Sequence, residues 1–246
     1  MRIIKINATN STNSFLKELA QSSSIDELTV AVASNQTSGR GKMNNSWVSE
    51  PYKNLTFSLF TPLKKIEVKN QVYLNFAVSL AIYDTLLEYD VPKLNIKWPN
   101  DIMSDKKKIC GILIENTFSH SRIKNTIIGI GLNVNQEKFH ESLINASSLK
   151  IILKKNIDLE LLMNKIIENI KLKISSIESE KFNLIHNKYH QVLYKKDIPT
   201  TFINLKTNQL FMGMINGVSS SGNLQIQLEN DRIIEFGLKE ISFAKV

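Results

Sequence analysis

Apolar and polar positions along this chain change period several times, and each change marks a boundary. Residues 2–6 alternate, which predicts a short edge strand. Asn10, Ser11, Thr12 and Asn13 are all helix-capping types and precede Phe15, Leu16, Leu19 and Ala20 at helical spacing, so a helix follows. Strands are expected at 28–33 and 55–60, and the segment between them is polar, glycine-bearing and without either period, which predicts a mobile loop. Tyr73, Phe76, Ala77, Leu80, Ala81 and Leu87 place a helix over about 70–89 that ends before Pro92, its apolar stripe belonging to the core.

Strands at 94–98, 109–118 and 122–134, the last two joined by a compact reversal at 119–121, predict a mostly antiparallel sheet. Helices over 158–177 and 181–193 would cover one face of it. After Pro199 short strands broken by Gly213, Gly217 and Gly222, with alternation in Leu224, Ile226 and Leu228, predict a small β barrel. The fold class is therefore α+β, divided as 1–195 and 196–246. No internal repeat and no helix-turn-helix pattern is visible.

Composition narrows the partners. The chain has 246 residues and 42% hydrophobic content, enough for one sizeable core and a small second module. Its 31 Lys and Arg against 23 Asp and Glu give a net charge of +8, which favours anionic partners. The lysines are dispersed among asparagines and isoleucines, as on solvated faces, and do not gather into a nucleic-acid-binding tract. A single cysteine, Cys110, excludes an internal disulfide and suits a reducing compartment, with the cytoplasm as the expected location. It reads as a small buried apolar residue, not as a nucleophile. Neither a signal peptide nor a membrane-spanning stretch is expected.

Three short stretches carry candidate chemistry: Ser38-Gly39-Arg40-Gly41-Lys42 running on to Trp47, Lys97-Trp98-Pro99-Asn100-Asp101 with Lys108 following, and Gly129-Ile130-Gly131-Leu132-Asn133. Together they offer what formation of an acyl adenylate needs: a glycine-permitted turn near phosphate, fixed cations and an aromatic face for a purine. Taken singly, each has an ordinary reading. Arg40 and Lys42 fit a basic surface turn as well as a phosphate clamp. Trp47 fits a hinge anchor as well as a base-stacking surface. Asp101 fits a turn-fixing carboxylate as well as a Mg²⁺ ligand, and Lys106 to Lys108 fit a solvated hairpin. Gly129 and Gly131 lack the third glycine and following helix of a dinucleotide fingerprint. Gly111 with Ile112, Leu113 and Ile114 would form an apolar wall that a flat ligand can approach closely.

In order and spacing the three stretches resemble the catalytic domain of biotin protein ligases. That resemblance implies a mixed sheet with helices, of the class II aminoacyl-tRNA synthetase and biotin ligase type, followed by an SH3-like barrel. The implied reaction is ATP-dependent: biotin and ATP give biotinyl-5'-AMP, and biotin then passes to a lysine of the biotin carboxyl carrier domain of a carboxylase. Lys108, Arg40 and Asp101 take the catalytic positions. Ser11, Thr12, Asn13, Gln36, Arg40, Gly41, Lys42, Lys108 and Gly111 take the biotin positions. Arg40, Lys42, Trp47, Asn100, Lys108 and Asn133 take those of ATP and the adenylate, with Asn133 on adenine and Mg²⁺ on Asp101. Lys42 departs from the family's usual arginine, which weakens retention of the adenylate if a bidentate contact is needed there. Some relatives carry an amino-terminal winged helix. Here the catalytic pattern starts almost at Met1, so neither repression nor a DNA partner is expected, while a homodimer fits either way. The competing readings are a lipoate protein ligase and a non-catalytic basic nucleic-acid-binding module.

Overall fold

The computed structural model describes residues 1–244 and builds them into two sheets. The larger has seven strands in the order β1 (Arg2–Thr9), β2 (Thr29–Gln36), β3 (Leu55–Pro62), β7 (Arg122–Leu132), β6 (Lys107–Ser119), β5 (Asp101–Ser104) and β4 (Leu94–Lys97). Only the edge pair β1 and β2 runs parallel; all other neighbours are antiparallel. This agrees with the mostly antiparallel sheet and the edge strand expected from the pattern.

Successive side chains of a strand leave on opposite faces, so sequence neighbours part company. Val30, Leu59 and Ile128 enter the main core, whereas Ala31, Phe60 and Ile127 enter a smaller one with Leu16. The main core is closed by α2 (Gln71–Glu88), with α4 (Leu159–Glu178) and α5 (Phe182–Gln191) packed outside it. The smaller core lies beneath α1 (Thr12–Ser22). Being held between sheet and helices, α2 is buried over most of its circumference. The expected Ile112, Leu113, Ile114 wall divides by the same alternation. Ile112 and Ile114 pack on the main core, Ile112 also reaching the cavity, while Leu113 leaves on the opposite face and borders the cavity from there.

Two short elements escape the hydrophobic pattern. Four-residue β5 begins directly after the Trp98-Pro99-Asn100 turn, and five-residue α3 (Leu149–Leu153) is set by Ser148, whose hydroxyl accepts from the Ile151 N–H at 3.2 Å. Both are too short to show a period.

The second sheet contains β8 (Thr200–Asn204), β9 (Gln209–Val218), β10 (Leu224–Gln227), β11 (Ile233–Phe236) and β12 (Ile241–Phe243), in the order β11-β10-β9-β8-β12 and antiparallel throughout. It does not close into the expected barrel. Closure would require β11 and β12 to pair, but they have only four and three residues, and the turn between them is pinned by Glu240, whose Oε2 accepts from the Gly237 N–H. The unclosed side, with Leu238, Ile241 and Phe243, walls a cavity against the large sheet. Trp98 ties the two sheets there by donating from Nε1 to the Gly222 carbonyl at 3.0 Å. Among the described residues no helix is long and apolar enough to cross a membrane.

Candidate active site

A cavity of about 830 Å³ opens on the α1 side of the large sheet, where β6 and β7 lie side by side. Its floor is made of glycines. Gly111 and Gly131 are register partners on adjacent strands, and the indole of Trp47 lies directly over them. A Cβ at Gly131 would stand 2.3 Å from Trp47 Cε2, and one at Gly111 would stand 3.1 Å from Trp47 Cζ3. Gly129, two residues back on the same face, makes room for Asn13, whose Oδ1 would be 2.2 Å from an added Cβ. The glycine spacing therefore encodes close approach to a sheet.

A bulge in β6 delivers Lys108. Met103 pairs with Lys108 and Ile102 with Cys110, so Ile109 is an extra residue, and both Ile109 and Cys110 turn into the core. Strict alternation would have put Lys108 on the face opposite Gly111; the bulge returns it to the same face. Its Nζ there pairs with Asp101 Oδ1 at 2.7 Å and lies 5.6 Å from the Trp47 ring centroid. Burial of Cys110 pushes its thiol well above the ordinary range, so it stays protonated and inert.

The loop that the pattern left without regular structure folds over this floor. Arg40 bridges to Ser46, and the Trp47 N–H donates to the Gly39 carbonyl at 2.8 Å. Lys42 reaches inward. Burial lowers the pKa of its ammonium, and the nearby Asp101 opposes that shift. Lys97, register partner of Asp101, is lowered by burial as well, with Lys108 and Lys195 adding to the effect and Asp101 opposing it. Its Nζ lies 4.9 Å from the ring centroid of Phe243. Lys97 was legible only as part of a motif; no sequence signal showed that β4 turns it into the cavity beside Asp101.

At the other end, Ser11 occupies the N-cap position of α1 by backbone conformation but makes no side-chain cap bond. The polar residues that looked like a capping cluster turn instead toward the sheet. The Thr12 N–H donates to Gln36 Oε1 at 2.8 Å, Thr12 Oγ1 meets Ser58 Oγ at 2.6 Å, and Ser58 Oγ donates to Asn13 Oδ1 at 2.6 Å. Asn13 Nδ2 then donates to Glu115 Oε2 at 2.7 Å. Ser58 and Glu115 had no sequence signal: Ser58 is one small residue in an apolar strand, and Glu115 opens the polar end of β6.

The cavity thus brings together Ser11, Thr12, Asn13, Gln36, Arg40, Gly41, Lys42, Trp47, Asn100, Asp101, Lys108 and Gly111. Asn133 is the exception. It is 4% exposed beyond the end of β7 and does not line the cavity, and its Nδ2 donates to the Ser147 carbonyl at 3.0 Å, tying the strand to the segment before α3. Asn100 also spends its amide on the fold, donating to the Ile112 carbonyl at 2.6 Å. Asp101 is the sole carboxylate among the described residues lining the cavity, and no cluster of three metal-binding side chains occurs among them. That donor set does not make a resident metal site. It fits Mg²⁺ only as an ion carried by nucleotide phosphates.

The chain that carries this site has relatives. Residues 6–133 match the model of the biotin/lipoate A/B protein ligase family. The chain belongs to that family. The bifunctional ligase/repressor BirA of Bacillus subtilis (strain 168) is 36% identical over 128 residues, 52% of this chain and 39% of that protein. BirA of Escherichia coli (strain K12) is 25% identical over 205 residues, 83% of this chain and 62% of that protein. The chain therefore spans between two fifths and three fifths of the length of these curated relatives. The structure of a biotin protein ligase from Aquifex aeolicus in complex with biotin and ATP is 26% identical, with a TM-score of 0.82 over 100% of this chain and 99% of that one. The family match ends at Asn133, whereas the structural likeness continues through the second sheet.

Proposed function

We propose that this chain is an ATP-dependent biotin protein ligase, with a catalytic unit over 1–195 and a smaller unit over 196–246, whose last two positions lie outside the described residues. The observation that carries the reading is one cavity with two unlike ends over a common glycine floor. One end is a neutral hydrogen-bonding network suited to a polar ring; the other holds Lys42, Lys97 and Lys108 around the single carboxylate Asp101. A biotin carboxylate and the α-phosphate of ATP meeting at the second end would satisfy that excess of cations.

In the first step a biotin carboxylate oxygen attacks the α-phosphorus, the bond to the bridging β-oxygen breaks, and pyrophosphate leaves with that electron pair. Lys108 holds the reacting oxygens and stabilises the charge that develops between them. Lys42 closes over the phosphates, Arg40 holds the loop shut between the two ends, and Trp47 shields the mixed anhydride from water. Asp101 would be the protein ligand of a Mg²⁺ ion carried by the nucleotide, which would offset charge on the phosphates. In the second step a carrier lysine amine attacks the acyl carbon, AMP departs with the carbonyl–phosphate oxygen, and the proton the amine loses passes to the departing phosphate or to water.

The acceptor we assign is the biotin carboxyl carrier domain of a carboxylase. The outer edge of β1 has no partner strand among the described residues and runs into Ser11, so pairing of a carrier strand there would present a lysine near the cavity. Self-association into a homodimer is the competing use of that edge. A reducing compartment, the cytoplasm, suits the single buried Cys110.

Pyrophosphate release from ATP with biotin, lipoate or neither tests the reading, followed by addition of a carrier domain. Biotin-dependent release and carrier labelling are expected. Release with lipoate alone moves the assignment to a lipoate ligase. No release with either acid, together with salt-dependent oligonucleotide binding, overturns ligase activity altogether.

A further inference from the structure

Glu115 does not line the cavity, yet it joins the loop to the polar network. Its Oε1 takes a hydrogen bond from Arg40 Nη2 at 2.8 Å, and its Oε2 takes one from Asn13 Nδ2 at 2.7 Å. Arg40 is additionally held to Ser14 Oγ by Nη1 at 3.2 Å. Beyond Asn13 the chain of bonds runs to Ser58, to Thr12 and to Gln36.

We propose that Glu115 is the positioning residue that latches Arg40 of the loop and fixes the direction of every hydrogen bond from Asn13 to the ligand end of the cavity. This deepens the ligase reading and rests on it.

A carboxylate is acceptor-only, so Asn13 must present its amide nitrogen to Glu115 and its oxygen to Ser58. Ser58 therefore spends its one proton on Asn13. Thr12 Oγ1 lies 2.6 Å from Ser58 Oγ and 3.1 Å from Gln36 Oε1, so its one proton goes to the nearer Ser58, and a lone pair of the Thr12 hydroxyl stays available as an acceptor. Gln36 Oε1 already receives the Thr12 N–H, so its Nε2 is turned away as a donor, and it lies 3.1 Å from where a Cβ of Gly39 would be. The network thus offers an acceptor at Thr12 and a donor at Gln36 side by side. A cyclic urea, with N–H next to C=O, is complementary to that pair. A neutral amide at position 115 can donate as well as accept, so it would release the constraint on direction and remove the charge that holds Arg40.

The test uses the full chain and three variants, Glu115→Gln, Glu115→Asp and Asn13→Ala, with two readouts: biotin affinity by calorimetry without ATP, and the rate of tryptic cleavage after Arg40 and Lys42 in the ligand-free protein. Glu115→Gln is expected to lose about tenfold in biotin affinity and to be cleaved faster in the loop. Asn13→Ala should weaken biotin similarly while keeping the loop resistant, because the Arg40 contact stays. Glu115→Asp, which retains the charge, should recover part of both. Thermal unfolding separates this role from loss of fold, since Glu115 is part-exposed, with 28% of its side-chain surface accessible. Native affinity and native cleavage in Glu115→Gln overturn the proposal. So does an equal loss in Gln and Asp variants that tracks a lower Tm. If the native chain binds no biotin, the ligase reading falls, and the cleavage comparison still decides whether Glu115 latches the loop.

Discussion

The two ends of the cavity are built on opposite electrostatic plans. Around Thr12, Ser58, Asn13 and Glu115 nearly every donor has an acceptor, and the one cation, Arg40, is matched by one carboxylate. Around Asp101 three lysines share a single carboxylate, and burial lowers the pKa of two of them, Lys42 and Lys97. The first end is complete before a ligand arrives and can select a neutral ring by geometry. The second is short of negative charge and becomes balanced only when anions enter. Selectivity and activation are thereby placed on different structural supports: strands and a helix start for the ring, a loop and a bulge for the phosphates.

The largest effect should come from removing the lysine that the bulge delivers. Lys108→Ala is expected to slow biotin-dependent pyrophosphate release about 10²–10³-fold with the fold intact, the loss typical of one preorganised charge donor. Circular dichroism and thermal unfolding check the fold. Retention of more than a tenth of the native rate would mean that Lys42 or Lys97 carries the charge stabilisation, and the contrast between the two ends would need redrawing.

Adding a methyl group to the floor should separate the two ends. In Gly129→Ala the new Cβ meets Asn13 Oδ1, whereas in Gly131→Ala it meets the Trp47 indole. Each overpacking should cost about 1–3 kcal/mol if the neighbours cannot move aside. The first is expected to fall mainly on biotin affinity and the second mainly on adenylate retention, read by calorimetry and by the decay of preformed adenylate. Equal effects of both on both readouts would show that the floor acts as a single unit.

Much of this plan was legible because glycines, a tryptophan and closely spaced lysines leave a mark on a sequence whatever the fold. The strands and the long helices announced themselves through period. What was not legible depended on pairing across the sheet. Nothing near Glu115 marks it as the partner of Arg40, 75 positions earlier. Ser58 is one small residue in a buried strand, and Lys97 gains its meaning only from standing beside Asp101 in register. Asn133 shows the converse: its motif context was clear, but its amide nitrogen holds the segment before α3, which the motif does not reveal. The open second sheet likewise follows from the lengths of β11 and β12, which turn residues do not reveal.

Lys42→Arg sharpens the cationic end. A guanidinium grips phosphate oxygens with two parallel bonds where an ammonium acts as a point charge. The variant is expected to prolong the lifetime of the bound adenylate by up to about tenfold, or 1.4 kcal/mol, without changing biotin affinity in the absence of ATP. An unchanged lifetime would show that Lys42 serves the attraction of Asp101 more than the grip on phosphate.

The smallest effect lies outside the cavity, where α5 meets the second sheet. His190 Nε2 lies 3.0 Å from both the Val218 N–H and the Val218 carbonyl, and it accepts from the N–H only when it carries no proton. Burial lowers the pKa of His190 to about 4, and His186, with ring centroids 3.9 Å apart, adds to the shift, while the Val218 carbonyl opposes it. The unfolded chain therefore binds a proton that the native state refuses between the ordinary histidine value of 6.5 and about 4. The contribution of His190 to stability is full above that window and lost as the pH falls through it. Thermal unfolding followed from pH 7 to pH 4 should show a decline in Tm that His190→Asn reduces, the difference staying below about 4 °C because the ring is only half-buried. The difference between the two curves, and not the slope of either, measures the contact. Parallel curves would mean that the junction between α5 and the second sheet does not depend on this ring's charge.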